Sequence, residues 1–135
     1  MTDTPAAAKP CLLVVDDNPD NASIIQQYLE SKGYDISVAH DGDEALVCFE
    51  RIKPRLVLLD VMMPGRSGWD VCRLIKQHPT LGRSVRVIMV TALDDWANKQ
   101  NALQTGADDY ITKPLDLADL AARVKRNLAL VSPAS

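Results

Sequence analysis

The 135-residue sequence predicts a doubly wound α/β domain, a five-stranded parallel sheet in the flavodoxin-like order 2-1-3-4-5 with five helices on its two faces. Two observations carry this. Segments 11–15, 56–59 and 85–90 are dense apolar runs, the first two without any polar alternation, as expected of strands covered on both sides. Strand-like segments also alternate with stretches whose apolar residues recur at helical spacing, so parallel strands joined by right-handed crossovers follow. Each of those dense runs, moreover, ends on a polar residue, and in such sheets ligands bind at the carboxyl ends of the strands.

Composition fits one domain. With 47% hydrophobic residues the chain can bury an adequate core, and a net charge of −3 without long charge runs argues against a nucleic-acid footprint or a polybasic membrane patch. The first ten residues lack the apolar stretch of a signal peptide, and no segment is long enough for a membrane span, so a cytoplasmic location is expected. Cys11, Cys48 and Cys72 are odd in number, lack metal-ligand spacing and read as reduced core thiols.

The elements follow in order. Residues 1–9 form a Pro/Ala-rich tail, 10–130 the domain, and 131–135 a tail or the start of a linker. After the first strand, Asn18 or a neighbouring Asp caps a helix reaching Lys32, with Pro19 in its first turn, Ala22, Ile25 and Leu29 inward, and Gly33 closing it. Residues 35–40 alternate polar and apolar, as an edge strand does, which sets the second strand at the sheet border. A short helix over 43–51 places Ala45, Leu46, Phe49 and Ile52 on one side, and Pro54 marks its exit. The third strand ends at Asp60, and Pro64 and Gly65 turn the chain into a helix over 68–77 with Val71, Leu74 and Ile75 inward and Trp69 packing. The fourth strand ends on Thr91. A fourth helix over 94–104 has only a weak apolar stripe, Ala97 and Leu103, and Gly106 ends it. The fifth strand, 109–112, precedes Lys113 and Pro114, and Asp116 caps a last helix carrying Leu117, Leu120, Val124 and Leu128.

The order 2-1-3-4-5 makes strands one and three neighbours, which brings Asp16, Asp17 and Asp60 together at the switch point. Carboxylates so close repel one another, and a shared proton or a bound cation relieves them. Hard oxygen ligands without His or Cys suit Mg²⁺, and His40 and His78 fall off these strand ends. With Lys113 and the Thr91 hydroxyl at adjacent strand ends, the set fits a phosphoryl group: Asp60, single and central, as nucleophile, Asp16 and Asp17 as metal ligands. Taken singly, each Asp could equally be a helix cap.

The motifs VVDDN, LLDVMMPGRSG, VIMVTA and GADDYITKP, in this order and spacing, closely resemble response-regulator receiver domains of two-component signalling, from about Pro10 to Leu130. The resemblance implies that Asp60 is the phosphoacceptor, charged by a sensor histidine kinase, a histidine phosphotransfer protein or a small donor. It implies Mg²⁺ on Asp17, Asp60 and the backbone carbonyl of Met62, with Asp16 acting mainly through water. Lys113 would pair with the phosphoryl oxygens and precede a cis peptide to Pro114. Thr91 and Tyr110 would form the switch pair, changing the surface of the fourth helix, fifth strand and last helix. Leu93 and Met62 occupy positions that in this family influence phosphate hydrolysis, and kinase choice would be read on the first helix around Ala22, Ile25 and Gln26.

The output is less defined. Lys99, Asp109, Asp119 and Arg123 match positions through which some receivers dimerise, Lys99 to Asp119 and Asp109 to Arg123 across a two-fold axis, and are equally readable as solvated charges. The loop wording MMPGRSGWDVC and the TALDD segment look similar to receivers joined to cyclic-dinucleotide synthases, and the chain reads either as a stand-alone relay or adaptor or as a receiver from a longer protein. The alternative is a Mg²⁺-dependent aspartyl-phosphate phosphatase or phosphotransferase on outside substrates, which needs a cap that no insertion here supplies. A non-enzymatic switch, with only its own phosphorylation and dephosphorylation chemistry, is the expectation.

Overall fold

A computed structural model describes residues 9–63, 65–92 and 106–130. Element order is β1 (Cys11–Val15), α1 (Pro19–Ser31), β2 (Asp35–Ala39), α2 (Gly42–Ile52), β3 (Leu56–Asp60), α3 (Gly68–Lys76), β4 (Arg86–Ala92), β5 (Asp109–Lys113) and α4 (Leu117–Ala129). The five strands pair in parallel in the order β2-β1-β3-β4-β5, as the sequence predicts. The helix expected over 94–104, with Ala97, Lys99 and Leu103, lies outside the described residues, as do Leu93, Pro64 and both tails, so four helices are described.

Alternation along the strands divides the core in two. Leu13, Val15, Val57, Leu59, Val87 and Met89 face α2 and α3, which contribute Ala45, Phe49, Val71 and Ile75. Leu12, Val14, Leu56, Leu58, Ile88 and Val90 face α1 and α4, with Ile25, Leu29, Leu120 and Val124. β3 lies at the centre and is buried at every position, which explains its unbroken apolar run.

The caps fall where the sequence puts them: Asn18 accepts from the Asp20 and Asn21 N–H groups, Asp116 from those of Ala118 and Asp119. Gly33 follows α1 at φ +98°, a left-handed position that favours glycine. Three expectations are corrected. Leu74 is 42% exposed while Cys72 is buried in its place, because the inward stripe of α3 runs Gly68, Val71, Cys72, Ile75. β4 continues through Thr91 to Ala92, and β5 includes Lys113, since the ladder pairs Thr91 with Thr112 and Ala92 with Lys113. Ala22 and Ile25 are buried under α1 and so are not part of its exposed face, whereas Ile24 is 55% exposed.

Cys48 and Cys72 are buried and Cys11 is half-buried, all as free thiols. Trp69 packs against the α2/α3 side of the core. Among the described residues, no helix is long and apolar enough to cross a membrane.

Candidate functional site

β1 and β3 are adjacent, Val15 beside Leu59, so the residues that follow them share one end of the sheet. Asp16 and Asp60 are 5% and 3% exposed, and Asp17 is exposed; each offers a carboxylate oxygen within 4.8 Å of the other two. The Asn18 N–H donates to Asp16 Oδ1 at 2.9 Å and the Met62 N–H to Asp60 Oδ1 at 3.0 Å, while the Met62 side chain is exposed.

The second oxygen of Asp60 faces Lys113. Its ammonium donates to Asp60 Oδ2 at 3.1 Å from the end of β5, two strands away, and the Lys113–Pro114 peptide is cis. A carboxylate buried this deeply requires such a partner. Burial pushes the Asp16 carboxyl above its ordinary value; Asp60 and Asp17 push the same way, and the Asn18 N–H and Lys113 only partly offset them. The site thus has unrelieved negative charge and suits a small hard cation on oxygen ligands.

Thr91 is 3% exposed, and its Oγ1 is buried without a hydrogen-bond partner among the described residues. A buried hydroxyl left so costs free energy, and at this sheet edge it is a donor waiting for an acceptor. Tyr110 pairs with Met89 and Thr112 with Thr91, so Tyr110 and Thr91 share the α2/α3 face, against which the Tyr110 side chain packs half-buried.

The loop after Asp60 is held by its own close contacts. The Val61 N–H donates to the Val90 carbonyl at 3.0 Å and the Gly68 N–H to the Val61 carbonyl at 3.1 Å, and a Cβ on Gly68 would collide with the Asp60 carbonyl. Only glycine lets α3 start this close to the phosphoacceptor candidate, a constraint the sequence left unread. Beside Lys113, a groove between α1 and the β5–α4 connection is lined by Asn21, Ile24, Pro114, Leu115 and Leu117.

Of the charges expected to pair across a dimer, Arg123 pairs with Asp109 and Asp119 within one chain. Arg123 donates to Asp109 at 2.9 Å, to Asp119 at 3.1 Å and to the Tyr110 carbonyl at 3.0 Å. Asp109 also accepts from Arg126 and from the buried Asn127, whose amide oxygen in turn takes Arg86. Burial pushes the Asp109 carboxyl up, but the bonds from Asn127, the Tyr110 N–H and Arg126 and the charge of Arg123 outweigh it and hold it below the ordinary value. Lys99 lies outside the described residues. His40, not legible in the sequence as a site residue, brings its ring to the Asp16 carbonyl.

Comparison with known proteins agrees with this geometry. Residues 12–125 match the model of the response regulator receiver domain family. The fold superimposes on the signal receiver domain of a signal transduction histidine kinase from Syntrophus aciditrophicus with a TM-score of 0.85 at 36% identity, covering 93% of this chain and 95% of that one. A Francisella response regulator receiver domain gives 0.81 at 33% identity, covering 90% and 98%, and a two-component response regulator from Clostridium difficile gives 0.83 at 30% identity, again covering 90% and 98%.

Proposed function

The chain belongs to the response regulator receiver domain family of two-component signalling, and from that membership we propose that it is a switch turned on by phosphorylation of Asp60. The observation that carries the reading is the pairing of a buried Asp60 with Lys113 beside an unpartnered buried Thr91 hydroxyl. Asp17, Asp60 and the Met62 carbonyl would hold Mg²⁺, with Asp16 through water; when bound, the ion offsets the negative charge of the carboxylates and of an incoming phosphoryl group.

Asp60 Oδ1 is held by the Met62 N–H, which leaves Oδ2, on Lys113, as the attacking oxygen. Oδ2 forms the bond to phosphorus as the donor's bond to phosphorus breaks, and the donor group leaves with that electron pair. Lys113 then exchanges its carboxylate bond for the new phosphoryl oxygens. Thr91 gains in a phosphoryl oxygen the acceptor it lacks, and its movement frees space for the Tyr110 ring, which shares its sheet face. The Tyr110 N–H is bound to Asp109 and its carbonyl to Arg123 on α4, so a change at Tyr110 reaches both β5 and α4. This shifts a two-state population toward the active form.

The phosphodonor is a sensor histidine kinase or phosphotransfer protein, seated on Ile24 and the groove beside Lys113. Hydrogen exchange tests the switch. Beryllofluoride with Mg²⁺ is expected to alter exchange in β5 and α4 of the wild type, and Thr91→Val to bind the ligand without that change. An unaltered wild type would contradict the reading.

A further inference from the structure

His40 sits between the end of β2 and Asp41, the N-cap of α2. Its main chain is fixed by α2: the His40 N–H donates to Glu44 Oε1 at 2.8 Å, while the Glu44 N–H donates back to Asp41 at 2.8 Å. Its ring Nδ1 lies 3.3 Å from the Asp16 carbonyl oxygen. A carbonyl only accepts, so Nδ1 carries the proton in this contact.

That carbonyl belongs to the Asp16–Asp17 peptide, and the planarity of a peptide makes its orientation set where Asp17 goes. Asp16 is held independently, by its N–H on the Ala39 carbonyl at 3.1 Å and its side chain on the Asn18 N–H. Asp17 is exposed, and among the described residues no side-chain hydrogen bond or ion pair holds its carboxylate. The peptide that His40 contacts therefore leads directly into Asp17, with the Asn18 N–H held on Asp16 beyond it.

We infer that His40 is a positioning residue for the metal-binding aspartates, fixing the Asp16–Asp17 peptide so that the Asp17 carboxylate is ready for the ion. The inference rests on the reading of this site as a Mg²⁺ site. The role requires only a donor at the Nδ1 position. Asn supplies one, its amide nitrogen lying the same number of bonds from Cα, whereas Gln places its amide at the position of Nε2 and Leu supplies none.

The test is Mg²⁺ affinity by titration calorimetry, together with amide exchange at Asp17 in the metal-free protein. His40→Leu and His40→Gln are expected to weaken Mg²⁺ by about tenfold and to speed Asp17 exchange, with urea midpoints unchanged. His40→Asn is expected to restore both. Equal affinity and exchange in all variants, or an Asn variant as weak as Leu, would overturn the role of His40 alone. Failure of the wild type to bind Mg²⁺ would overturn the site reading and the inference together.

Discussion

Thr91 keeps a buried hydroxyl with no partner among the described residues, at a cost to the resting protein. Thr91→Val removes the hydroxyl at nearly constant shape, so urea unfolding of the unphosphorylated protein should show a gain of about 1 kcal/mol; a loss would mean that the hydroxyl is satisfied at rest. Asp16 shows the same tension in charge. Its carboxyl is raised in the folded state, first by burial and then by Asp60 and Asp17, so the folded protein binds the proton more tightly than the unfolded chain. The penalty is therefore present above the raised value and is relieved as pH falls through it. Asp16→Asn should raise the urea midpoint at neutral pH without Mg²⁺, the gain shrinking as pH is lowered. Both residues were legible in the sequence as candidates, because strand ends in parallel sheets carry function. The missing partner of Thr91 was not, since it depends on what the neighbouring strands fail to offer.

Among the elements, α3 is pressed onto the site through Gly68. Gly68→Ala would drive a Cβ into the Asp60 carbonyl, and a shift of backbone at such a contact costs about 1–3 kcal/mol. Thermal unfolding should register that loss, and phosphorylation should slow because Asp60 moves. α4 is tied to β5 by Asp109, whose depressed carboxyl contributes stability that is complete above the unfolded carboxylate range and lost as pH falls through the lowered value. Asp109→Asn should cost about 1–3 kcal/mol at neutral pH, with the difference from wild type vanishing in strong acid. Periodicity located every described strand and helix. It misassigned Leu74 because the inward stripe of so short a helix is set by the close approach of Gly68 at its start. It placed Ala22, Ile25 and Leu29 correctly in the core; only the family resemblance counted Ala22 and Ile25 as a surface.

At the scale of the whole molecule, sheet order was legible because chain connectivity and one edge-like strand left few topologies. The pairing of Asp109 with Arg123 was not, because two charges on one face look alike whether they meet within a chain or between chains. Exchanging pairs made in one molecule for equal pairs between two gains little, so sedimentation with Mg²⁺ and beryllofluoride should show no size change from these charges. A dimer abolished by Arg123→Ala, with the monomer still folded, would contradict that. The most direct measurement is intact mass after acetyl phosphate treatment with and without Mg²⁺, for the wild type and Asp60→Asn. One phosphoryl group gained only with Mg²⁺, and lost in the variant, is the expected result; no gain, or an equal gain in Asp60→Asn, would contradict Asp60 as phosphoacceptor.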